Sequence, residues 1–115
     1  MSFAIAVPAF AQTQSARASC HSQAQSIKAG QKAAKAMQAE RDALLVEVEA
    51  AGDEWEAAEA SRLFSDIEAA NADAAKQNYD ALKDDLLTLE QDLQSQVAEL
   101  NSAVASYNNT CARKS

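Results

Sequence analysis

One proline, two glycines, one histidine and six aromatic residues are spread over 115 residues. So few turn-formers cannot serve the many tight connections of a sandwich or barrel, which excludes an all-β fold. Apolar residues make up 48 % of the chain, but 28 of those 55 are alanine. Alanine buries little area, so a thick globular core cannot be built from this mixture. What remains is rich in Ala, Gln, Glu and Leu, a long-helix composition, and at 12.2 kDa there is room for one domain. No run reaches the roughly 18 apolar residues of a membrane span, so no transmembrane segment is expected in the mature chain.

The scarcity extends to chemistry. With His21 alone there is no second histidine for a zinc site, and Cys20-His21 lacks the second cysteine of a haem-attachment motif. Gly30 and Gly52 are isolated, so there is no glycine-rich phosphate loop. The acidic residues show no calcium-loop spacing with its central glycine. The sequence therefore points away from an enzyme and implies no catalytic residue, metal or cofactor.

Residues 1–11 carry no charge and end in Ala9-Phe10-Ala11, with small residues spaced as in a signal-peptidase site. We read this stretch as the remnant of a cleaved signal peptide, which places the mature chain, 12–115, in the periplasm or outside the cell. Both cysteines agree with that compartment, because Cys20 and Cys111 are even in number and sit at the two extremes of the mature chain.

Between them lie two heptad-like seams. The first runs from Cys20 through Ile27, Met37, Leu44, Val48 and Trp55 in alternating steps of three and four, with Arg41 filling one gap. The second is stronger from Leu82 through Leu86, Leu89, Leu93, Val97, Leu100, Val104 and Tyr107 to Cys111. It contains an eleven-residue step from Leu86 to Val97, and thins upstream through Ile67, Ala70, Ala74 and Ala75. Residues of an antiparallel pair face each other when their numbers share a constant sum. Setting Cys20 opposite Cys111 brings Ile27 to Val104, Val48 near Leu82 and Trp55 near Ala75, and puts the turn near residue 65. Independently, Ser65-Asp66-Ile67-Glu68 reads as a capping box, with Phe64 as its staple.

The expected fold is therefore all-α: two long antiparallel helices in a disulfide-closed, coiled-coil-like hairpin. Helix 1 is expected over about 15–63, the turn at 63–66 and helix 2 over about 66–111. Gly52-Asp53 offers a competing break, which would give three helices.

Charge is segregated along the chain. Residues 17–41 carry a net +4 and residues 42–99 a net −13 within an overall −7. That surface repels phosphates, so nucleic acid is not an expected partner. Leu45, Val46 and Leu87 widen the apolar stripe beyond a two-helix seam, which suggests self-association, for example a homodimeric four-helix bundle, or another protein partner. Trp55, Leu63 and Phe64 are the candidate partner-contact residues, either capping the hairpin end or forming an exposed patch. The expected function is an exported helical interaction or scaffold protein. The alternative is a periplasmic chaperone or ligand-holding protein using the acidic, turn-proximal half.

Ala18-Ser19-Cys20 and the Arg113-Lys114 tail resemble the two ends of the murein lipoprotein family. There a lipidated N-terminal cysteine opens one long helix and a C-terminal lysine joins peptidoglycan. Arg17 stands where that family has an aliphatic residue, and a second cysteine and the final Ser115 depart from its pattern. The resemblance carries no function to this chain.

Overall fold

The computed structural model describes residues 9–111, with side chains from Arg17 onward. The first eight residues of the signal-like segment and the Arg113-Lys114 tail lie outside the described residues. Two long helices pack against each other, α1 (Ala9–Ala60) and α2 (Asp66–Thr110), joined through a short 3-10 turn at Arg62–Phe64. There is no strand among the described residues, and a disulfide joins Cys20 to Cys111. The fold is the expected disulfide-closed helical hairpin.

Two compact units divide it. The terminal unit combines the chain up to Ala33 with the chain from Gln96, and the central unit is Ala34–Ser95.

In the terminal unit the disulfide has a Cα–Cα separation of 5.6 Å and closes 91 residues. Cys20, Ile27 and Gly30 of α1 are half-buried, as are Leu100, Val104 and Tyr107 of α2. Gly30 admits its partner because it has no side chain: a Cβ there would lie 3.1 Å from Leu100 Cδ1 and 3.7 Å from Gln96 Nε2. Gln96 takes the seam position, while Val97 turns outward and is 39 % exposed. The half-buried positions Gln96, Leu100 and Val104 make two successive steps of four. The relaxed stretch thus falls here, not between Leu86 and Val97, because glycine at 30 leaves space for the Gln96 amide and for Leu100.

In the central unit the only buried residues are Val48, Ala51 and Ala72. Around them Met37, Leu44 and Trp55 on α1 and Tyr79, Leu82, Leu86, Leu89 and Leu93 on α2 are half-buried. Arg41 fills its gap in the seam half-buried, with its guanidinium turned to Asp42 at 2.9 Å. The thin upstream seam differs from the expectation. Ala69, Ala72 and Ala75 face inward, whereas Ile67, Ala70 and Ala74 are exposed. Runs of alanine present nearly the same surface in several helical phases, so the larger Tyr79 and Leu82 downstream set the phase.

The alternative break at Gly52-Asp53 is not formed. α1 runs through it, and no glycine among the described residues has the positive φ of a helix-ending cap. Gly52 instead makes room for an aromatic ring: a Cβ there would lie 3.1 Å from Tyr79 Cε2.

α1 stops at Ala60, three residues before the expected end. Ser61 N–H donates to Ala58 O at 3.1 Å and Phe64 N–H to Ser61 O at 3.0 Å, tightening the last turn. Ser65 is then extended (φ −167°, ψ 165°), and its Oγ accepts the Glu68 N–H at 3.1 Å. That is the N-cap half of the capping box. The staple is not made: Phe64 is 81 % exposed, because its intended partner, Ala69, is too small to hold it.

Candidate functional site

The end of the central unit that carries the link gathers most of the sequence-derived candidates. Leu63, Phe64 and Ile67 are 96, 81 and 73 % exposed. Leu63 and Phe64 form no cap over the helices. The 3-10 turn and the extended Ser65 present both side chains outward, and Ile67 follows in the first turn of α2. Large apolar side chains left this exposed at one end of a small protein suggest a contact site.

Trp55 lies one to two turns before the end of α1 and is half-buried. Its indole stacks on Tyr79, with ring centroids 5.7 Å apart and planes at 25°. Both side chains lean toward the N-terminus of their own helix. In an antiparallel pair this brings them together, although Trp55 stands nearer Ala75 by backbone register. The ammonium of Lys76 sits 5.9 Å from the Trp55 ring centre and that of Lys83 4.8 Å from the Tyr79 ring centre. These cation–π contacts cover the aromatic pair with the stems of two lysines. Trp55 Nε1 is buried without a well-formed hydrogen bond, and the free edge of the indole borders an open recess of about 380 Å³ with Glu56, Glu59 and Ala60.

Arg62 links this end together. Its guanidinium donates to the Glu59 carboxylate at 2.8 and 3.1 Å and across to Asp73 on α2 at 2.7 Å. Arg62 holds the Glu59 carboxyl below the usual carboxylate range, with a smaller contribution from the nearby indole. The two carboxylates in turn hold the guanidinium firmly charged. Lys76 likewise lowers Asp80, at 2.7 Å one turn on. These pairs are solvent-exposed, so they orient side chains more than they add stability.

The remaining apolar candidates do not share one surface. Leu45 and Leu87 each follow a half-buried leucine, Leu44 and Leu86, by one residue. The same offset on two antiparallel helices leads to the same flank, so Leu45 and Leu87 shoulder one side of the seam. Val46, one residue further round, is 65 % exposed and points away from the partner helix. The widened stripe expected from sequence is therefore a two-leucine flank plus an isolated valine.

In the terminal unit, Ser22, Gln23, Ser26, Ala103, Ser106 and Thr110 line an open groove of about 360 Å³ near the disulfide. Its hydroxyls are partly used by the helix itself, since Thr110 Oγ1 donates to Ser106 O at 2.8 Å. Among the described residues no group of three His, Cys, Asp or Glu side chains converges as a metal site, and no helix is long and apolar enough to cross a membrane.

Sequence reasoning passed over Tyr79 and Arg62, and placed on the seam an Ile67 that the structure leaves exposed. The signal for Tyr79 was present: it is the one aromatic within a turn of the position facing Trp55. For Arg62 the signal was its isolation, as the one basic residue in a run of seven acids from Asp53 to Asp73. Comparison with protein families, curated proteins and solved structures finds no match to this chain.

Proposed function

We propose that this chain is an exported, non-enzymatic interaction or scaffold protein that works through helix–helix contacts, in the periplasm or outside the cell. The supporting observation is the set of large apolar side chains left outside the intramolecular seam, above all the Leu45–Leu87 flank of the central unit. Leu45 and Leu87 keep 42 and 55 % of their surface in water within the hairpin, and covering it by another helix removes apolar surface from water. The disulfide supports the compartment, since a structural bond of this kind persists where the surroundings are oxidising. A second reading, a chaperone or ligand-holding role on the acidic half, is favoured by the recess beside Trp55 with Glu56 and Glu59 on its wall.

Sedimentation equilibrium at micromolar concentration tests the self-association form of the proposal. The oxidised chain is expected to associate, and the double variant Leu45→Gln/Leu87→Gln to sediment as a monomer. A wild-type chain that is strictly monomeric removes self-association from the proposal.

A further inference from the structure

We infer that the link edge formed by Leu63, Phe64 and Ile67 is a docking site for a basic amphipathic segment of a partner protein. The inference rests on the interaction reading above and names where and by what chemistry one partner binds. The three side chains are largely exposed, yet the backbone that carries them is held by hydrogen bonds on both sides. Phe64 N–H is fixed to Ser61 O, and the Glu68 N–H to Ser65 Oγ. A preformed apolar edge of this kind loses little conformational freedom on binding.

Charge selects the occupant. Residues 53–73 contain seven carboxylates and one cation, Arg62, whose guanidinium is taken up by Glu59 and Asp73. The apolar edge thus lies within a stretch of net charge −6, where Asp53, Glu54, Glu56, Asp66 and Glu68 are left over after Arg62 has paired with Glu59 and Asp73. A second copy docking edge to edge would bring two such surfaces together, and an anionic membrane or a nucleic acid would be repelled in the same way. A segment with an apolar face flanked by Lys or Arg matches both features at once: apolar against Leu63, Phe64 and Ile67, cationic against Glu56, Asp66 and their neighbours.

The test uses the full oxidised chain and a synthetic amphipathic helix of leucine and lysine, with a leucine–glutamate helix as its counterpart. Binding is read by fluorescence anisotropy at low and high salt. The lysine peptide is expected to bind and to weaken with salt, and the glutamate peptide not to bind. Leu63→Ser/Phe64→Ser, at largely exposed positions, is expected to weaken lysine-peptide binding roughly tenfold or more while circular dichroism stays helical. Glu56→Gln/Asp66→Asn should weaken it and flatten its salt dependence. Equal binding of the lysine peptide by the Leu63→Ser/Phe64→Ser variant would show attraction by bulk charge alone and overturn the site. Absence of binding by the wild-type chain, or capture by phosphatidylglycerol vesicles, would overturn it as well. The Leu63→Ser/Phe64→Ser variant leaves the Leu45–Leu87 flank intact, so its sedimentation shows separately whether the broader interaction reading stands.

Discussion

Replacing both cysteines with serine is expected to lower the thermal unfolding midpoint by roughly 20 °C or more, the largest effect of any change considered. The bond closes a loop of 91 residues, and on the chain-entropy account a loop of that length is worth about 4 to 5 kcal/mol. Few other forces in the terminal unit are of that size. Its seam includes a glycine, a glutamine and half-buried side chains of moderate size, and none of its described residues is buried. Helices this poor in packing gain most of their stability from tertiary contact, so removing the covalent closure should release the terminal unit first. Hydrogen exchange should then show lost protection around Ile27 and Val104 before Val48 and Leu86. A midpoint change of only a few degrees in Cys20→Ser/Cys111→Ser would mean that the seam alone holds the helices together.

The second large effect is expected at Trp55. Trp55→Ala removes a stacked pair and the largest side chain of the central unit, and should cost about 2 kcal/mol. Truncating a fully buried tryptophan costs more, but this one is only half-buried. Trp55→Phe should cost far less, because it keeps a ring against Tyr79 and deletes a buried N–H that lacks a well-formed hydrogen bond. Urea denaturation of the two variants separates these outcomes. If Trp55→Ala left the midpoint unchanged, the stack would not be contributing and the indole would be free for other use.

The fold was legible because its determinants are local and periodic. Absence of breakers, three-four spacing of Leu, Val and Ile, and Ser65 three residues before Glu68 each specify helix or helix end without reference to the rest of the chain. The cysteines then linked two distant patterns into one register, and the bond forms where that register requires. What was not legible depended on alanine or on side-chain reach. Ala70, Ala72 and Ala74 are interchangeable in a hydropathy pattern, so the phase of early α2 could not be read from them. The Trp55–Tyr79 stack depends on how far two long side chains lean along opposite helix directions, which backbone register does not report. The link candidates Leu63 and Phe64 could be named from sequence, but whether they folded inward as a cap depended on Ala69 being too small to hold Phe64. Nothing in the residues identifies a partner, because recognition here would use shape and charge, not a chemical motif.

The antiparallel hairpin closed by Cys20 and Cys111 sets which residues of the two helices face each other. Peptide mapping under non-reducing conditions, on the full chain recovered from an oxidising compartment, tests it directly. One linked pair containing Cys20 and Cys111 of the same molecule, with no free thiol, is the predicted result. Two free thiols, or a link between the cysteines of separate molecules, would contradict it.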